Sequence, residues 1–186
     1  MFANTEKALN LFAKKVINQS IRNLEKGDHM GSGELARSLD YNVQVYPSGA
    51  IELDFFMADH GKFVDKGVKG SSGKNAPDGK RKGYKSPYKF TGSNIKRGVV
   101  EKWIKRKGIQ GRHKKGSKKG GQFMKRKTLA FLIGRSIALY GLPATRFFSN
   151  AFRKHYRGLP EEFTKAYASD VQKFLKFATN DYLNKN

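Results

Sequence analysis

Cysteine is absent from the 186-residue chain, and acidic residues are scarce. Without cysteine the chain can form no disulfide, no cysteine-ligated zinc site and no thiol nucleophile. Acidic residues number 15 against 38 Lys and Arg, which leaves a formal net charge of +23. Because so large an excess of one sign repels itself, we expect an acidic partner, either a nucleic acid or an acidic protein surface.

Long apolar runs are absent as well. No segment reaches the ~18 consecutive apolar residues typical of a transmembrane helix, and the first residues lack the apolar stretch of a signal peptide. We therefore expect no membrane contact. Only 38% of the residues are hydrophobic, yet 14 Phe and 8 Tyr are enough to fill the core of one domain.

Residues that could form a catalytic or metal site are scattered. The four histidines show no HxH or HxxxH spacing that would favour a metal site. Residues 67–74 (GVKGSSGK) resemble a phosphate-binding loop, but they have one residue too many, and Asn75 stands where the motif requires Ser or Thr. We therefore expect no enzymatic activity, no bound metal and no cofactor.

The positive charge is concentrated in the middle of the chain. Residues 62–127 contain 23 basic and three acidic residues, whereas residues 1–61 contain six basic and eight acidic ones. This asymmetry predicts an ordinary scaffold that carries a basic insertion for a polyanion. The alternative interpretation is a solvated loop without a specific partner. We place the α+β core domain at 1–67 and 128–186, and the Gly/Lys-rich insertion at 68–127.

Hydrophobic spacing predicts an α+β fold. Alternating apolar residues at 41–46 and 51–56, on either side of Pro47, Ser48 and Gly49, indicate an antiparallel hairpin with one buried face. Apolar residues at three- and four-residue spacing predict the helices. These helices cover 5–26, 94–107, 128–140 and 160–183. Residues 145–155 form a short helix or a strand leading into one, and 57–67 contain a short helix or helical turn.

The long first and last helices are expected to pack on the hairpin and form the core. Their apolar stripes and the inward face of the hairpin supply the residues that we predict to be buried. These residues are Phe12, Val16, Ile17, Val43, Leu53, Phe55, Phe163, Val171 and Phe174.

The candidate binding residues are the cations of the basic insertion. Lysines and arginines on glycine-rich loops can neutralise phosphates without reading base sequence, or they can contact an acidic protein. Tyr84, Tyr88, Phe90 and Trp103 lie among them and could stack on bases, although a core role is the more common one for such aromatics. The predicted polyanion-binding residues are Lys80, Arg81, Lys82, Lys105, Arg106, Lys107, Arg112, Lys114, Lys115, Lys118, Lys119, Lys125, Arg126 and Lys127.

Three short motifs occur in a fixed order along the chain. Residues 33–39 (GELARSL) match the pattern G-x-L-x-x-S-L, and residues 63–67 (FVDKG) match the end of Y-A-x-x-V-E-x-G. Arg146-Phe147-Phe148, followed by Ala151, resembles R-P-F-L-x-x-A. In this order, between a first helix and a terminal helix, the motifs resemble those of the tail completion and head–tail joining proteins of long-tailed bacteriophages.

The resemblance implies a structural virion protein without catalysis. Such a protein is assembled in the host cytoplasm and forms a homo-oligomeric ring at the neck or tail top, where it joins the portal or its adaptor to the tail around the DNA channel. A basic insertion there would face DNA or acidic neighbouring rings. The charge pattern leaves a second interpretation open: a stand-alone protein that binds nucleic acid without sequence specificity.

Overall fold

The computed structural model describes residues 2–46, 48–73, 86–92 and 95–185. Over this part the chain is α+β, as predicted, with seven helices and two short antiparallel strand pairs. It divides into two compact units: Met1–Gly61 with Arg146–Asn186, and Lys62–Thr145. The helices are α1 (Ala3–Lys26), α2 (Glu34–Arg37), α3 (Gly61–Lys66), α4 (Arg97–Lys107), α5 (Arg126–Tyr140), α6 (Phe147–Tyr156) and α7 (Leu159–Lys185).

The first unit contains the predicted β-hairpin. Strand β1 (Asp40–Val45) pairs antiparallel with β2 (Ile51–Phe56), in a register that places Val43 opposite Leu53. Side chains alternate between the two faces, so Tyr41, Val43 and Val45 are half-buried while the residues between them are exposed. The inward face of this hairpin therefore lies against the helices.

The core of the first unit lies between α1, α6 and the hairpin. Phe12, Val16 and Ala151 are its buried centre, and Phe55 and Phe152 pack around them. The ring of Phe12 meets those of Phe55 and Phe152 edge-on, with centroids 6.3 and 5.7 Å away. Edge-to-face packing is the favoured arrangement for aromatic pairs, so these contacts hold the hairpin and α6 on α1.

The first half of helix α7 packs along α1, and its second half extends beyond the N-terminus of α1. The two helices run antiparallel, because Lys15 contacts Glu162 while Thr5 contacts Asp170. Beyond Asp170 there is no further turn of α1 for α7 to pack against. The predicted burial of Phe174 is therefore wrong, since its side chain is 44% exposed. Of the other predicted core residues, Phe12 and Val16 are buried, and Ile17, Val43, Leu53, Phe55, Phe163 and Val171 are half-buried.

The second unit is built on two packed helices. Val100 and Ile104 of α4 and Ala130 of α5 form its buried cluster. Strand β3 (Val68–Lys69) pairs antiparallel with β4 (Gly141–Leu142), and the backbone N–H of Ser71 donates to the carbonyl of Ala138. The start and the end of this unit are therefore joined at the end of α5.

The unit boundaries differ from those inferred from charge. The sequence interpretation assigned residues 128–186 to the core domain, whereas α5 and β4 lie in the second unit. The physical reason is apolar packing: the buried face of α5 meets α4, and β4 meets β3. A boundary drawn from charge follows the exposed faces of helices and ignores which apolar faces meet.

Candidate polyanion-binding surface

The candidate surface is the basic helical hairpin, which comprises α4, the loop 108–125 and the first turn of α5. Residues 96–127 contain fourteen Lys and Arg and a single acidic residue, Glu101. The apolar faces of α4 and α5 are used against each other through Val100, Ile104 and Ala130. This packing directs the charged faces outward, where they stay hydrated.

The loop between the helices is a small hairpin of its own. Arg112 and Phe123 form an antiparallel bridge, and the backbone N–H of His113 donates to the carbonyl of Gln122. At the tip, the N–H of Ser117 donates to the carbonyl of Lys114 in a tight turn. Glycine serves this geometry, since Gly116 and Gly121 both have positive φ, at 91° and 80°. The backbone thus orders a segment that sequence reasoning had described only as a loop.

The structure places eleven of the fourteen predicted residues on this hairpin, and Lys80, Arg81 and Lys82 lie outside the described residues. Three of the eleven are in the last turn of α4, five in the loop and its tip, and three around the start of α5. Ten of them are exposed and Lys107 is half-buried. The residues in this order are Lys105, Arg106 and Lys107; Arg112, Lys114, Lys115, Lys118 and Lys119; and Lys125, Arg126 and Lys127.

Positive charge is concentrated at the N-terminus of α5, the end of a helix where cations are least favourable. Lys125 occupies the N-cap position without a side-chain cap, and Arg126 and Lys127 form the first turn, which contains no acidic residue. Free N–H groups already give a helix N-terminus a partial positive charge, so cations there cost about 0.3–1 kcal/mol each. An anion bound at this end would relieve the repulsion.

Arg112 differs from its neighbours because it also stabilises the loop. Its guanidinium carbon lies 4.0 Å from the ring centroid of Phe123, and its Nη1 donates to the carbonyl of Gly121 at 3.1 Å. Cation–π contact and hydrogen bond together fix the side chain on the loop. Its candidate role is therefore partly structural, unlike that of the exposed lysines at the tip.

Sequence reasoning missed two cations at the start of α4 and one aromatic residue of the loop. Lys96 and Arg97 begin α4, and the guanidinium carbon of Arg97 lies 5.5 Å from the ring centroid of Phe131. Phe123, which is 57% exposed on the loop, was not singled out although it sits inside the basic run.

The aromatic residues that the sequence did single out lie in different settings. Trp103 is 40% exposed on α4. Tyr88 packs edge-on against Phe63, with ring centroids 4.6 Å apart, which is a structural contact. Tyr84 lies outside the described residues, and the backbone N–H of Phe90 donates to the carbonyl of Lys69. Of the three that the structure describes, Trp103 alone lies on the basic helical hairpin.

No family model, curated protein or solved structure matches this chain. Among the described residues, no three His, Asp or Glu side chains come together in a group suited to a metal ion. Within the same residues, no helix combines the length and the apolar character needed to cross a membrane.

Proposed function

We propose that the protein is a structural protein of a tailed bacteriophage virion, which assembles as a homo-oligomeric ring at the head–tail neck or tail top around the DNA channel. The observation that carries the assembly is the second half of α7. Leu175, Phe177 and Tyr182 are 57%, 70% and 70% exposed there, and Phe174 is 44% exposed. Exposed apolar side chains gathered so closely on one stretch of helix mark a contact surface for another chain.

Two of the three motifs that suggest the phage family occupy structural positions. Gly33 starts α2 with a φ of 76°, and the backbone N–H of Ala58 donates to the hydroxyl of Ser38 at 2.9 Å. The carbonyl of Val64 accepts hydrogen bonds from the backbone N–H and hydroxyl of Thr145. Such positions suit a scaffold that serves assembly, and this supports the proposal.

The basic helical hairpin is the proposed contact with the polyanion. In a ring around a channel, cations on an ordered tip can neutralise DNA phosphates irrespective of sequence. Acidic residues of a portal, adaptor or tail protein would satisfy the same cations. The protein is proposed to act by binding alone, without catalysis.

The assembly is tested by sedimentation and mass measurement of the full chain. The variant Phe177→Ser/Tyr182→Ser should shift an oligomer towards the monomer, because each substitution removes exposed apolar area from the proposed contact. Leu11→Ser is the matched control, since Leu11 is 49% exposed on α1 and should leave assembly unchanged. A parent protein that stays monomeric and is absent from purified virions would overturn the proposal.

A second candidate function is a stand-alone nucleic-acid-binding protein without sequence specificity. The fourteen cations against one acidic residue in 96–127 favour it independently of the phage resemblance. Tight monomeric binding to DNA of any sequence, with affinity that falls steeply with salt, would select this function over the neck ring.

A further inference from the structure

A half-open pocket of about 280 Å³ lies at the base of the loop of the basic helical hairpin. Ile109, Phe123, Met124 and Leu129 form apolar walls, and Gln110 and Arg126 also line it. We propose that this pocket binds one unpaired base of a single-stranded nucleic acid, such as an overhanging end, whose phosphates lie along the surrounding cations. The inference rests on the proposed polyanion contact and names the kind of polyanion.

Phe123 supplies the aromatic wall of the pocket. Its side chain is 57% exposed, although apolar rings usually turn inward to escape water. The guanidinium of Arg112 holds it in place at 4.0 Å, and Arg112 is itself anchored on the carbonyl of Gly121. A fixed, exposed ring is the platform on which bases stack, and such stacking tolerates any base because every base has a flat π-face.

The polar lining matches the rest of a nucleotide. The amide of Gln110 can both donate and accept a hydrogen bond, as the edges of bases require. Arg126 lies in the first turn of α5, next to Lys125 and Lys127, where an anion is favoured by their charges and by the free backbone N–H groups. The volume lies just below the range of roughly 300–1,000 Å³ typical of drug-sized ligands, so it suits one small planar group.

The combination of charge and pocket selects a single strand among possible polyanions. An acidic protein surface would satisfy the cations, but carboxylates would leave the apolar walls exposed to water. In a duplex the bases are paired and stacked, so a base enters the pocket only after it has been extruded at a cost in free energy. An unpaired nucleotide offers a phosphate and a free flat base together.

The experiment compares short single-stranded DNA with the duplex of the same sequence, using the full chain at matched salt. Phe123→Leu keeps apolar bulk but removes the stacking ring, while the backbone bridge between positions 112 and 123 and the Arg112–Gly121 hydrogen bond still hold the loop. We expect single-strand affinity to fall by roughly fivefold or more, while duplex affinity changes little. A fluorescent adenine analogue in the strand should be quenched by the parent and much less by the variant. Leu132→Ala is the control, since Leu132 is 45% exposed on α5 outside the pocket.

The outcomes separate this inference from the proposed function. Equal affinity for single strand and duplex, or unchanged binding by Phe123→Leu, overturns the base pocket while leaving polyanion binding intact. Displacement of the strand by polyglutamate as efficiently as by unlabelled single-stranded DNA also overturns it, in favour of an acidic protein partner. If Lys114, Lys115, Lys118 and Lys119 are replaced by Gln and DNA binding does not change, the proposed contact of this surface with DNA itself fails.

Discussion

Asp170 in the middle of α7 caps the start of α1 through Thr5. Its Oδ2 accepts hydrogen bonds from both the backbone N–H and the hydroxyl of Thr5, each 2.8 Å long. Its Oδ1 accepts from the backbone N–H and the side-chain amide of Asn4, at 3.2 and 2.7 Å. A carboxylate at a helix N-terminus satisfies free N–H groups and favours the helix dipole. One side chain thus joins the first helix of the chain to the last.

We predict that Asp170→Asn destabilises the first unit by about 1–3 kcal/mol at neutral pH. The amide keeps the size of the side chain but loses the charge that strengthens buried hydrogen bonds, and Asp170 is only 2% exposed. Urea unfolding followed by circular dichroism measures the change. The exposed Asp59→Asn is the control, and an equal, small effect of both substitutions would contradict the capping role.

The Asp170 carboxyl should also make the free energy of unfolding depend on pH in the acid range. Burial raises the pKa of Asp170, but the hydrogen bonds from Thr5 and Asn4 outweigh it, so its pKa lies below the ordinary value. Because the folded-state pKa is the lower one, this stabilisation is complete above the unfolded Asp pKa of ~3.9 and is lost as pH falls through the folded value. The free energy of unfolding should therefore fall less steeply in acid for Asp170→Asn than for the parent. Parallel pH profiles would refute the prediction.

Truncating two phenylalanines should reduce stability by very different amounts. Phe12 is 2% exposed in the aromatic core, so Phe12→Ala should cost about 3–5 kcal/mol. Phe174 is 44% exposed beyond the end of α1, so Phe174→Ala should cost only a few tenths of a kcal/mol in the dissociated chain. Chemical denaturation at low protein concentration makes the comparison. A large loss at Phe174 under those conditions would show that the second half of α7 packs within its own chain.

Gly141 should not tolerate a side chain. Its φ is 83°, and a Cβ there would collide with the carbonyl oxygen of Val68 across the β3–β4 pair. We expect Gly141→Ala to destabilise the second unit by ~2 kcal/mol or more. Limited proteolysis should then cut within 62–145 before the rest of the chain. Gly98→Ala is the control, since a Cβ there meets no atom within 4 Å.

The lysines of the loop tip should act through charge alone. Replacing Lys114, Lys115, Lys118 and Lys119 by Gln should leave the melting transition unchanged, because these exposed side chains support no core. DNA affinity should fall, and the slope of log affinity against log salt should decrease by up to ~0.9 for each phosphate that the variant no longer neutralises. Titrations at several salt concentrations measure it. An unchanged slope would mean that the tip is merely solvated.

Much of the fold was accessible from sequence because its signals are local. Alternating apolar residues around Gly49 predicted the hairpin, and its observed strands, Asp40–Val45 and Ile51–Phe56, agree closely with the prediction. Three- and four-residue spacing located the main helices to within a few residues. The charge excess of 62–127 likewise follows from composition, and eleven of the cations predicted from it lie on the helical hairpin.

The tertiary structure determines which of the apolar faces predicted from the sequence are buried, and against which element each one packs. The apolar stripe of α7 continues past Asp170, but only packing shows that α1 has ended there and that Phe174 is left exposed. Charge assigned α5 to the core domain, whereas its apolar face packs on α4. The pocket beside Phe123 depends on the Arg112–Phe123 bridge, which joins residues on either side of a glycine-rich turn. Periodicity and composition are properties of residues that are close in sequence. Burial and pockets form where segments distant in sequence pack together, so the sequence pattern alone does not reveal them.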